Sequence, residues 1–101
     1  MQMFNPPHPG RILRDVLPEI PMTVTQFAKH LGISRVTLSR VINGRAGITP
    51  EMSLKLSEAF RQGQGNIWFL MQNDYDFWQA SRAKRKKVKP IKMKTKMAEA
   101  A

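Results

Sequence analysis

Two arginines, Arg35 and Arg40, stand five positions apart in "LGISRVTLSRVINGRAG", residues 31–47, among Ser34, Val36, Thr37, Ser39, Asn43 and Arg45. A guanidinium offers five N–H donors in a planar fork and accepts nothing, so it suits paired acceptors such as a phosphate or the O6/N7 edge of guanine. Hydroxyls at a helix start suit phosphates. The other chemistry-bearing residues do not converge. His8 and His30 are the only histidines, sit on different elements and form no HxxxH pair, and there is no cysteine, so no recognisable metal set exists. Asp74 and Asp76 flank Tyr75, and residues two apart do not face each other on a helix. No serine, histidine and acid constellation stands out, and no glycine-rich phosphate loop follows a strand pattern. The residues point to binding, with neither an enzyme nor a cofactor expected.

The elements that must hold the arginines are legible. "NPPHPG" is a stiff lead-in that places Pro9 in a first helical turn, where its missing N–H costs nothing. Ile12, Leu13, Val16 and Leu17 share a stripe, which predicts a helix ending before Pro18, with "PEIP" as connector. Thr23 and Gln26 fit a capping box with Met22 and Phe27 as its hydrophobic staple, and the helix that follows buries Phe27, Ala28 and Leu31. Gly32 ends it, Ser34 caps the next, and Gly44 stops that one after Asn43. "RAGIT" is a loop. Thr49 and Pro50 start a fourth helix with Met52, Leu54, Leu56, Ala59 and Phe60 as its apolar side. After "RQGQGN", Asn66 is expected to cap a fifth helix from Ile67 to about Ser81. With no strand pattern and no repeat, the class is all-α.

Two short helices meeting at a glycine suggest a helix-turn-helix. Phe27, Ala28, Leu31, Ile33, Leu38 and Val41 would lock the pair, and Ala28 is small where the second helix crosses close. At about 100° per residue, Leu38 and Val41 face inward while Arg35, Val36, Ser39, Arg40 and Asn43 share the outer arc. In this motif that arc enters the major groove. Arg35, Val36, Ser39 and Arg40 are therefore expected against base edges, with Val36 suited to a thymine methyl. Ser34, Thr37, Asn43 and Arg45 are expected against phosphates. The competing reading makes both arginines solubilising charges only.

The net charge of +10 is unevenly placed. Up to Ala80, eight cations face six acids; from Ser81 onward nine cations face Glu99 alone. This divides the chain into a folded part, residues 1–81, for DNA binding and dimerisation, and a basic tail, 82–101, too charged to fold alone. The tail is either a solubilising extension or a source of sequence-independent phosphate contacts. "KRKKVKP" also resembles a nuclear localisation signal, a weak match. No membrane-length apolar run or signal-peptide pattern is present, and a soluble, cytoplasmic protein without membrane contact is expected. Trp68, Met71, Tyr75 and Trp78 recur at helical spacing on the fifth helix. They serve as core, as a dimer interface, or as both; a twofold dimer would match DNA half-sites roughly 34–36 Å apart.

"HPGRILRDVL", "MTVTQFAKHLGISRVTLSRVINGRAGITPEMSLKLSEAF" and "WFLMQNDYDFWQA" together resemble the HigA-type antitoxins of HigBA toxin–antitoxin modules, helix-turn-helix proteins of the Cro/repressor type. The resemblance covers about residues 5 to 80, and "NGRAGITPEM" is among its most specific parts. It implies a five-helix Cro/repressor-like domain, and a homodimer on a palindromic operator in its own promoter. It further implies neutralisation of a HigB-like toxin, a ribosome-dependent mRNA endonuclease. Three features depart from the family pattern. Val24 stands where many relatives have a phosphate-touching glutamine, Arg11 where glutamate often follows "HPG", and the basic tail lies outside the family core. Toxins that grip RNA are usually basic, so the tail would repel one, and toxin contact is expected within the folded part. A solitary transcriptional regulator and a basic RNA-binding or interaction protein are the alternatives.

Overall fold

A computed structural model describes residues 5–94. Five helices follow in order: α1 (Pro9–Val16), α2 (Val24–Leu31), α3 (Arg35–Ile42), α4 (Pro50–Ala59) and α5 (Ile67–Arg82), with a 3-10 turn, Leu17–Glu19, after α1. Among the described residues there is no strand. The stretch read as a connector after Leu17 therefore continues α1 for one tighter turn, because proline is tolerated at the start of a helical segment.

The predicted caps on α2, α3 and α4 form. Thr23 Oγ1 accepts the Gln26 N–H (3.1 Å) while Gln26 Oε1 accepts the Thr23 N–H (2.9 Å). Gly32, at φ +76°, ends α2, and the Ile33 N–H returns to the Ala28 carbonyl (3.0 Å), the 6→1 bond of a Schellman motif. Thr49 accepts the Met52 N–H. One cap was not foreseen: His8 Nδ1 accepts the Gly10 N–H (2.9 Å) at the start of α1.

Asn66 does not cap α5 with its side chain. The reason lies in α4, whose Ser53 Oγ accepts the Phe69 N–H (3.1 Å) and donates to the Gly65 carbonyl (2.7 Å). Ser57 Oγ donates to the Gln64 and Gly65 carbonyls. Both serines are buried, and so a polar seam rather than a loop residue satisfies the start of α5. Leu54, expected on the apolar side of α4, is exposed, since Ser53 and Ser57 take the inward positions beside Met52 and Leu56.

The core joins Leu13 of α1, Phe27, Ala28 and Leu31 of α2, Leu38 and Val41 of α3, and Leu56 of α4 to Trp68 of α5. Phe27, Phe60 and Trp68 stack in series with ring centroids 5.9 Å apart at each step. Gly10 is where α1 meets α3, and a Cβ there would collide with the Val41 carbonyl. Arg14 Nη2 donates to the Ile42 carbonyl (3.4 Å) beside it. Residues 83–94 carry no helix or strand and are exposed throughout; the remainder of the expected tail, 95–101, lies outside the described residues.

Candidate nucleic-acid interface

α3 begins at Ser34, whose Oγ accepts the Thr37 N–H (3.0 Å) and donates to Thr37 Oγ1 (2.8 Å). The Ser34 hydroxyl is thus committed to the cap, and its hydrogen is engaged. Thr37 Oγ1 keeps its own hydrogen free, which makes Thr37 the better donor to an incoming phosphate. Among the residues expected to line the groove, Arg35, Val36 and Arg40 are exposed, Val36 to 68%. Such exposure is unusual for a valine that serves only packing. Leu38, Val41 and Ile42 anchor the opposite side of α3 in the core.

Ser39 is half-buried and held by Asn43, whose Nδ2 donates to the Ser39 carbonyl (2.9 Å) and Oγ (3.3 Å). Ser39 can then offer its hydroxyl hydrogen to a base acceptor, and Asn43 keeps its Oδ1 as the free group. The Arg45 and Ala46 N–H groups both reach the Arg40 carbonyl, while Arg40 Nη2 donates to the Arg45 carbonyl (3.5 Å). This fixes the turn after α3, and with it the place of Arg45. From Lys29 to Pro50 the chain holds four cations and no acid, while the exposed Glu51, paired with Lys55, lines the same recess as Thr37.

On α5 sits a residue that the periodicity did not single out. Gln72 of α5 is buried; its Oε1 accepts the Ile48 N–H (2.9 Å) and its Nε2 donates to Asp76 Oδ1 (2.9 Å). The loop from Gly44 to Thr49 is pinned to α5 by this one side chain, and Gly47 leaves room for it. A lone amide four residues after Trp68, on the inward face of a helix, was the available signal.

The four residues expected at a dimer interface divide. Trp68 is in the core, 3% exposed, with its Nε1–H donating to Gln62 Oε1 (2.7 Å), and it leaves no surface for a second subunit. Met71 packs against the core. Tyr75 meets the His8 ring edge-on at 4.9 Å, and the Arg82 guanidinium lies 4.4 Å from the Trp78 ring centre. Tyr75 and Trp78 remain half-exposed. The uncovered apolar surface of α5 belongs instead to Leu70 and Phe77, seven residues apart on the opposite side, with Phe77 75% exposed. Val24 packs against the core, which leaves no polar group at its position.

The helix-turn-helix family HTH_3 matches residues 22–62. Virulence-associated protein A' of Dichelobacter nodosus is 38% identical over 89% of this chain and 78% of its own length. The fold superposes on an addiction module antidote protein of the HigA family from Coxiella burnetii with TM-score 0.69 and 34% identity, covering 77% of this chain and 84% of that one. The chain belongs to the HigA family of helix-turn-helix proteins. HigA-family proteins are DNA-binding antitoxins and regulators, not enzymes. A further solved relative, the Pseudomonas aeruginosa antitoxin HigA with the higBA promoter, matches with TM-score 0.69 and 28% identity over 75% of this HigA-family chain and 83% of its own. No helix among the described residues is long and apolar enough to cross a membrane.

Proposed function

We propose that this protein is the antitoxin of a type II module, neutralising a HigB-like mRNA endonuclease and repressing its own operon as a dimer on a palindromic operator. The observation that carries the DNA half of this reading is the exposed face of α3 with its two arginines, Arg35 and Arg40. Arg35, Val36, Ser39 and Arg40 meet base edges there. Thr37, Asn43 and Arg45 approach phosphates, and Ser34 sets the helix start through its cap. The Pseudomonas relative solved with its promoter supports the same use of the fold. Dimerisation through α5 is supported by the unpartnered Leu70 and Phe77, with Tyr75 and Trp78 at the edge of the contact. Such a protein works in the cytoplasm, where its operon is.

Fluorescence anisotropy against the chain's own upstream DNA and a scrambled duplex, over a salt series, tests the reading. A preference of about a thousandfold or more at physiological salt establishes operator recognition. Equal binding to both duplexes removes it. Co-purification with the product of an adjacent small basic reading frame tests the toxin; its absence from the operon leaves a solitary regulator.

A further inference from the structure

We infer that residues 82–94 form a second DNA-binding element, one that grips the phosphates of duplex flanking the operator rather than the operator itself. The inference rests on the operator-reading role of α3 proposed above. Eight cations and no acid lie between Arg82 and Lys94. The ion pair found among the described residues is Lys55–Glu51, far from this segment in the chain, so its charges are not spent on the protein's own acids. Every residue from Ala83 to Lys94 is exposed, including Val88 at 83% and Ile91 at 78%, so nothing in the subunit covers it. Its starting point is fixed, because Arg82 is stacked on Trp78 and the backbone turns extended at Ala83 (φ −73°, ψ 143°).

The geometry favours duplex DNA. An extended chain advances about 3.3 Å per residue. Each DNA strand places one phosphate per roughly 3.4 Å of axis. That rise is measured along the axis; because the strand also winds around it, successive phosphates lie roughly 7 Å apart along the backbone, close to the spacing of every second residue in an extended chain. Pro90 opposes coiling into a helix that would shorten it. Twelve extended residues reach about 40 Å, enough to follow roughly six successive phosphates of one strand. Residues 83–94 form no helix or strand that would seat side chains in a groove, so the contribution comes from charge and is independent of sequence.

The experiment uses the full chain and a full-length variant carrying Lys84→Gln, Arg85→Gln, Lys86→Gln, Lys87→Gln and Lys89→Gln together. Both are titrated onto the operator alone and onto the operator lengthened by twelve scrambled base pairs on each side. For the unaltered chain, the flanks should raise affinity at least about tenfold at 50 mM salt, and the variant should lose that gain. If all five cations engage, the variant's affinity loss between 50 and 200 mM salt shrinks by about 500-fold on the lengthened duplex. An unchanged salt dependence overturns the inference, as does a flank gain that the variant keeps. Single-stranded RNA that displaces the flanked duplex as readily as duplex DNA does also overturns it, in favour of an RNA-binding segment. The ratio of operator to scrambled core is read in the same titrations. Its collapse for both proteins removes the α3 reading while the flank gain is scored separately.

Discussion

Gln72 Oε1 accepts the Ile48 N–H across 2.9 Å, and this one bond fastens α5 to the loop that leaves α3. The loop that joins α3 to α4 is therefore anchored to the helix proposed to pair subunits. Gln72→Leu should leave the Ile48 N–H buried without a partner and cost about 1–3 kcal/mol of stability in urea unfolding. Amide exchange at Ile48 should accelerate at the same time. Unchanged exchange would show that the loop is held by packing alone.

Gly10→Ala tests how tightly α1 sits on α3. In an unconstrained helix interior this change stabilises by about 1 kcal/mol. Here the added methyl meets the Val41 carbonyl, so the sign should reverse, with a loss of about 1–3 kcal/mol in thermal unfolding.

Arg40→Ala should relax specificity at one base pair and cost about 1–3 kcal/mol on the operator. Competition among operator variants reads this directly. Equal losses on operator and scrambled DNA would reassign Arg40 to the backbone.

Phe77→Glu should dissociate the proposed dimer without unfolding the subunit, because the ring is 75% exposed and takes little part in the core. Sedimentation at micromolar concentration should show a dimer for the unaltered chain and a monomer for the variant. A monomer in both would end the proposal of an α5 interface.

His8 supplies a pH dependence. Burial lowers its pKa from the ordinary 6.5, against the opposing pull of Asp76. Its Nδ1 must be unprotonated to accept the Gly10 N–H. The unfolded chain then binds the proton more readily, so the contribution to stability is complete above pH 6.5 and declines as pH falls towards the lowered folded-state value. His8→Asn keeps a capping side chain and should flatten melting temperature against pH below 6.5.

The helix-turn-helix was open to reading because local rules agree there. Thr23 with Gln26, Gly32 and Ser34 act within a few residues, and the 3.6-residue repeat of Phe27, Leu31, Leu38 and Val41 needs no partner to be recognised. What escaped depends on distant contacts. Ser53 displaces Asn66 as the cap of α5 across sixteen residues, and Gln72 serves a loop twenty-four residues away. The division of α5 between core and surface is hidden for a related reason. Trp68, Met71, Tyr75 and Trp78 share a face, yet only contacts with α1 and α4 decide that this face turns inward and leaves Phe77 outside.

The serine seam between α4 and α5 has one more consequence. Ser53 and Ser57 hold the start of α5, Trp68 is stacked in the aromatic series, and Gln72 secures its middle. All of these partners lie within one subunit, so the packing of α5 is complete without a second copy. Any second copy must meet an already finished one. Cellular concentration would then set operator occupancy through the docking of complete subunits, while each subunit's own integrity stays indifferent to dilution.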